Sequence, residues 1–130
     1  RMRSHLKAEE IAFLCDVNVK HGSHFIIHDR SVEEQAMDIE AQDGDAVIVT
    51  GFDTGMPPSV EKVQECKKKV GLPILLGSGL TTENAAELLG CADGAIVGSY
   101  FKEGGNWKNP VDPKRTRAFM QEVERLRKEL

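Results

Sequence analysis

Three short stretches of this sequence combine residue types and spacings suited to chemistry. Two of them, Gly77-Ser78-Gly79 and Gly94-Ala95-Ile96-Val97-Gly98-Ser99, end an apolar run in glycine and serine. Glycine lets backbone N–H groups approach an anion closely, and the start of a following helix adds a favourable dipole. One such turn is a weak signal, because a plain strand-to-helix turn has the same composition. Two in succession point more strongly to a phosphate or similar anion held by Gly77, Ser78, Gly79, Gly98 and Ser99.

The third stretch is Cys15-Asp16-Val17-Asn18-Val19-Lys20-His21, where strand alternation puts Asp16, Asn18 and Lys20 on one face. A buried acid and base are costly unless paired, and a purely structural interior would use Val or Ile. Asp16 and Lys20 are therefore the candidate general base and electrophile, with Asn18 a ligand contact. The rival reading is a half-exposed strand whose polar face is merely solvated. Thr50-Gly51-Phe52-Asp53-Thr54-Gly55 adds two hydroxyls and a carboxylate: Thr50 and Thr54 as ligand contacts, Asp53 as an auxiliary acid or metal contact. An Asp/Gly turn ahead of a proline-started helix explains the same residues equally well. His21, His24, His28 and Asp29 match no established ligand spacing, so neither a metal site nor a cofactor is assigned. Trp107, in a loop rich in glycine and lysine, is either a lid over the site or a contact for another part of the barrel.

Such residues need elements to position them. Four apolar runs, 11–19, 46–49, 73–76 and 95–97, alternate with four helix patterns. Three of the runs are almost wholly apolar, as strands buried on both faces must be. Ser31 and Glu34 form a capping box, Ser59 follows two prolines, Thr81 or Thr82 is placed to cap a short third helix, and Asp112-Pro113 opens the last. The triple Lys67-Lys68-Lys69 suits a solvated helix end, where cations complement the dipole.

Strands alternating with helices imply βαβ units and a parallel sheet, which a doubly wound fold and a barrel both satisfy. A closed eight-stranded barrel needs about 250 residues and commonly holds phosphate between the loops after its seventh and eighth strands. The expected fold is accordingly α/β: the C-terminal half of a (β/α) TIM-type barrel, strands five to eight, as one half-barrel domain over residues 1–130. The polar trio then faces the lumen, beside an apolar lumen surface expected around Val47, Val49 and Leu75. An open four-stranded sheet leaves two edges exposed, so self-association or a missing N-terminal half-barrel is part of this reading. The opening Arg1-Met2-Arg3 fits a chain that begins partway through a longer protein.

Composition narrows the partners. The 130 residues are 40% hydrophobic and 29% charged, with a formal net charge of −4. That balance gives no general attraction to nucleic acid or anionic membrane. Three cysteines are too few and too scattered for a disulfide framework, and read as reduced thiols of a cytoplasmic protein, with organellar or peripheral membrane association open. No apolar run approaches the roughly 20 residues of an integral membrane segment.

Taken in order, Asp16-Val17-Asn18-Val19-Lys20-His21, Val49-Thr50-Gly51-x-x-Thr54-Gly55, Leu76-Gly77-Ser78-Gly79, Ala92-Asp93-Gly94-Ala95-Ile96-Val97-Gly98-Ser99 and Asn109-Pro110-Val111-Asp112 resemble the BtpA/SgcQ family over nearly the whole chain. The resemblance implies a barrel of about twice this length, matched here on its last four strands. It also implies kinship with ribulose-phosphate-binding barrels such as indole-glycerol-phosphate synthase, whose phosphate site corresponds to Gly77–Gly79 and Gly98-Ser99. The function it implies is that of an enzyme of unassigned reaction that binds a small phosphorylated metabolite, a sugar or nucleoside phosphate. The family's link to photosystem I biogenesis implies the alternative of a non-catalytic assembly or stability factor.

Overall fold

A parallel strand covered by helices must be apolar on its helix side, and its neighbours must repeat the same phase. The computed structural model, which describes residues 2–19, 29–51 and 56–129, has this arrangement. Strands β1 (Leu14–Val17), β2 (Ala46–Val49), β3 (Ile74–Leu76) and β4 (Gly94–Ala95) form one sheet in that order, and every neighbouring pair is parallel. Helix α1 (Met2–His5) precedes the sheet; α2 (Val32–Ala41), α3 (Val60–Lys69) and α4 (Ala85–Leu89) connect successive strands, and α5 (Pro113–Leu126) follows β4. Sequential order with a helix after each strand is the arrangement of one half of a (β/α) barrel, as the sequence pattern predicts.

Local chemistry explains the boundaries. The Ser31 hydroxyl accepts from the Glu34 N–H while the Glu34 carboxylate accepts from the Ser31 N–H, closing the predicted capping box on α2. Ser59 caps α3, and Asp112 caps α5 with Pro113 in its first turn. The expected Thr81 or Thr82 cap on α4 is not formed: Asn84 holds the N-cap position, and its side chain turns back to the preceding loop. Strand β1 covers only part of the 11–19 run, and it stops at Val17 because Asn18 adopts a left-handed φ of 49°, which takes it out of the ladder.

The register sorts the two faces of the sheet. Cys15 pairs with Val47 and Val47 with Ile74; Val17 pairs with Val49 and Val49 with Leu76. Val17, Val47, Val49, Ile74 and Leu76 are buried with Ala36 of α2, Val63 and Cys66 of α3, Ala85 and Leu88 of α4, and Phe119, Val123 and Leu126 of α5. The helix-side core therefore holds Val47 and Val49, which corrects their expected place on the lumen face. Strand alternation puts them opposite Leu75, not beside it. The lumen face carries Leu14, Asp16, Ala46, Ile48, Leu75 and Gly94, with Asp16 in register with Ile48, Ile48 with Leu75, and Leu75 with Gly94.

Two aspartates tie the N-terminal ends of the strands together. Asp45 donates its N–H to the Phe13 carbonyl at 2.9 Å, and its carboxylate accepts the Phe13 N–H at 2.7 Å. Asp93 repeats the pattern on Ile74, at 2.8 and 2.9 Å. Each carboxylate is also paired with a cation, Asp45 with Arg3 and Asp93 with Lys67, the latter at 2.9 Å. The backbone hydrogen bond, followed by the cation, holds both carboxyls below the ordinary range.

Candidate functional site

The opposite, C-terminal ends of β3 and β4 run into the two glycine-serine turns. At the first, Gly79 has a φ of 74°, and a Cβ there would stand 2.1 Å from the Pro57 nitrogen. Only glycine fits, because the turn both needs left-handed backbone and lies hard against the segment that enters α3. The Ser78 hydroxyl donates to the Met56 carbonyl at 3.2 Å, pinning the turn to the same segment. Asn84 completes the turn: its Nδ2 donates to the Gly79 carbonyl at 2.9 Å and its Oδ1 accepts the Thr81 N–H at 2.8 Å. Because α4 begins only at Ala85 and is short, its dipole does not reach the Gly77–Gly79 turn as expected from the sequence.

At the second turn, a Cβ on Gly98 would meet nothing within 4 Å. A 3₁₀ turn over Ser99–Phe101 follows, and the Tyr100 hydroxyl lies 2.7 Å from Thr82 Oγ1. Between the two turns is a cleft of about 400 Å³, lined by Gly77, Gly79, Thr81, Gly98, Ser99 and Tyr100 among others. Among the described residues, no protein acceptor takes the backbone N–H groups of Gly79, Ser99 or Tyr100. The structure thus brings Gly77, Ser78, Gly79, Gly98 and Ser99 around one cavity.

Thr50 follows β2 directly and packs against Gly77 of the cleft lining. A Cβ on Gly77 would fall 2.2 Å from the Thr50 methyl, so the missing side chain of one is the space of the other. The Thr50 hydroxyl is buried and, among the described residues, is the one buried side-chain polar atom with no hydrogen-bond partner. Asp16 is exposed on the lumen face, three strands from β4 and so roughly 14 Å across the sheet. Asn18 does not continue Asp16's face: its left-handed backbone breaks the alternation, and its N–H donates to Gln35 Oε1 at 2.9 Å. Lys20, Asp53 and Thr54 lie outside the described residues, as do His21, His24 and His28.

Residues that the motifs did not single out also shape the cleft. Arg115, in the first turn of α5, donates its Nε–H to the Tyr100 carbonyl at 2.8 Å, and its guanidinium carbon lies 4.7 Å from the Tyr100 ring centroid. Asn84 and Thr82 belong to the same group. Their only sequence signal is a pair of threonines and an asparagine after a glycine turn, which looks like ordinary helix-start chemistry. Trp107 is exposed beyond the Lys102–Val111 bridge, 5.3 Å from Lys108 Nζ. On the far side of β4, a groove of about 330 Å³ runs between the strand and α5, lined by Leu89, Ala95, Val97, Phe119, Met120 and Val123 among others. No helix among the described residues is long and apolar enough to cross a membrane.

Known proteins match this chain along nearly its whole length. A family profile described as BtpA family covers residues 1–125. An uncharacterized protein of Caenorhabditis elegans, named as mitochondrial, is 44% identical over 128 residues, 98% of this chain and 46% of that protein. The photosystem I biogenesis protein BtpA of Synechocystis is 33% identical over 116 residues, 88% of this chain and 40% of that protein. The chain thus spans less than half the length of these relatives. Among solved structures, a thiamine phosphate pyrophosphorylase from Pyrococcus furiosus superposes with a TM-score of 0.59 at 15% identity, over 97% of this chain and 65% of that one. That likeness is one of fold: a TIM-type barrel.

Proposed function

The chain belongs to the BtpA family, and from that premise we propose that its half of the barrel binds the phosphate group of a small phosphorylated metabolite, a sugar or nucleoside phosphate, within an enzyme. One observation carries this reading. The N–H groups of Gly79, Ser99 and Tyr100, without acceptors among the described residues, border one open cleft at the C-terminal end of the sheet, where barrel ligands bind. Phosphate oxygens accept from such groups, and charge-assisted hydrogen bonds of this kind are short and strong. In this reading Gly77, Gly79 and Gly98 give the backbone its approach and the Ser99 hydroxyl adds a donor. The Ser78 hydroxyl acts indirectly, by fixing the turn against Met56.

The remaining candidates lie towards the reacting end of the ligand. Asp16, on the lumen face, is the proposed general base and Lys20 the electrophile; Asp53 is an auxiliary acid, with Thr50 and Thr54 as ligand contacts, while Asn18, turned off that face, is no longer among them. The separation of Asp16 from the cleft suits a ligand that reaches across the lumen with its phosphate anchored at one side. The open edges of β1 and β4, and the apolar groove beside α5, are proposed to be closed by further barrel strands, from another half of a longer chain or from a second copy.

The test uses a full-length barrel containing this chain. Low-millimolar inorganic phosphate is expected to raise its thermal midpoint above that in chloride at matched ionic strength, through binding to the folded state. Ser99→Ala removes one hydrogen bond to a charged group, worth about 1.5–3 kcal/mol, or roughly tenfold to a hundredfold in affinity. Gly98→Val adds bulk at the rim of the cleft, where a Cβ meets nothing within 4 Å. No stabilisation of the wild type, or equal stabilisation of all three proteins, overturns the phosphate reading and leaves the barrel fold standing.

A further inference from the structure

Among the described residues, the lining of the cleft has no charged side chain: Gly77 to Thr81, Ile96 to Tyr100 and Gly105 are all neutral. A phosphate ester carries one or two negative charges at neutral pH, in a protein whose formal net charge is already −4. Loop N–H groups supply direction, but a fixed cation close by supplies most of the long-range attraction. We infer that Arg115 is this cation, and that the cleft selects an anion by the charge held behind its Tyr100 wall. The inference rests on the phosphate reading above.

Three observations place Arg115 for the task. It sits in the first turn of α5, at the same end of the sheet as the cleft, with its own N–H taken by the Asp112 cap. Its Nε is fixed on the carbonyl of Tyr100, and its guanidinium lies over the ring of that cleft-lining residue. One terminal nitrogen, Nη2, comes within 3.7 Å of where a Cβ on Gly105 would stand, and Gly105 also lines the cleft. Gly105 has a φ of 72°, which favours glycine, and with no side chain there the backbone faces the guanidinium directly.

Beyond the Nε bond and the ring contact, the guanidinium acts on one acid at longer range: the Glu83 carboxyl is held below its usual range chiefly by the Thr81 hydroxyl, with the Arg115 charge adding to the effect. Among the described residues it forms no ion pair: the five pairs present engage Arg3, Arg30, Lys67 and Arg125. The neighbouring acid is Glu83, which is exposed and accepts the Thr82 hydroxyl at 3.0 Å. Among the described residues Arg115 is thus oriented by a single neutral acceptor and a ring face, and with Glu83 exposed and outside ion-pair distance, its charge can still act on an incoming anion. A lysine in its place would lose the Nε bond and the planar stacking but keep the charge.

That difference is the basis of the test. Phosphate affinity is measured on the full-length barrel by thermal-shift titration at matched ionic strength, for the wild type, Arg115→Gln and Arg115→Lys. Both variants lose the same bond to Tyr100, so any shared loss of fold or loop order is common to them. Arg115→Gln is expected to bind inorganic phosphate about tenfold more weakly than the wild type, as for removal of one charge at partly screened distance. Arg115→Lys is expected to recover most of that loss. Equal weakening of both variants overturns the inference, because Arg115 then acts by holding Tyr100 and not by its charge. So does a glutamine variant that binds as tightly as the wild type. A wild type that phosphate fails to stabilise is a different result, and it removes the phosphate reading itself along with this inference.

Discussion

The two ends of the sheet treat polar groups in opposite ways. At the N-terminal end, Asp45 and Asp93 each close a two-bond clamp on the preceding strand and take a cation as well. At the C-terminal end, the N–H groups of Gly79, Ser99 and Tyr100 and the Thr50 hydroxyl have no partner among the described residues. Of these only the Thr50 hydroxyl is buried, where an unpaired polar group costs stability; the three N–H groups face an open cleft. Barrels divide labour in this way, with stability at the bottom and chemistry at the top. In this half-barrel, the two ends differ in their hydrogen bonding.

The largest expected effect blurs that division, because one top-end glycine is also structural. Gly79→Val forces a branched residue into left-handed backbone and against Pro57 and Met56. Strain and overpacking together predict a loss of about 2–6 kcal/mol, measured by denaturant unfolding. Gly98→Ala, where the added carbon meets nothing, is expected to change stability by no more than about 0.5 kcal/mol. Comparable losses for the two variants would break the distinction between a packed glycine and an open one. It follows that Gly79 is a poor position for testing ligand binding and Gly98 a good one.

A smaller effect is expected at the bottom. Asp93→Ala strips the acceptor from the N–H of Ile74, whose side chain is fully buried, and predicts a loss of about 1–3 kcal/mol. Asp45→Ala should lose less, because Phe13 is 44% exposed and water can replace the carboxylate. The same carboxyls set a pH dependence. Both are held below their ordinary value of 3.8, so their contribution is complete above that value and falls away as pH drops through the lower folded value. Asp93→Asn should therefore flatten the acid limb of the stability profile below about pH 4. An acid limb identical to the wild type's would show that the clamp does not depend on charge.

Much of the fold was legible in the sequence, and the reasons are local. The Ser31–Glu34 box, Ser59 and Asp112-Pro113 are short-range signals that act within one helical turn, and each forms as its spacing implies. The faces of the sheet were less legible, because β2 is apolar at every position and gives no phase. Only pairing with β3 shows that Val47 and Val49 lie with the helices and Ile48 with Leu75. Asn18 misled for a related reason: alternation assumes extended backbone, and a left-handed residue ends it without a glycine to mark the place. Arg115 and Asn84 were invisible because their roles depend on loops meeting across the sheet, and no spacing within one segment encodes that.

The smallest expected effect concerns Thr50, and it bears most directly on the contrast between the ends. Its methyl fills the space that Gly77 leaves, while its hydroxyl is buried without a partner among the described residues. Val has nearly the same shape and no hydroxyl, so Thr50→Val keeps the packing and removes only the unpaired group. If nothing in the folded chain needs that hydroxyl, the variant gains about 0.5–1 kcal/mol, because the desolvation of a polar group is avoided. A ligand contact predicts the same gain in the empty barrel and a smaller stabilisation when ligand is added, since one hydrogen bond is lost only in the complex. The comparison is therefore made on the full-length barrel with and without phosphate, Ser99→Ala serving as the reference for a lost contact. Destabilisation by Thr50→Val in the absence of ligand would show that the hydroxyl has a structural partner, and the top of the sheet would then be more like the bottom than the hydrogen-bond pattern indicates.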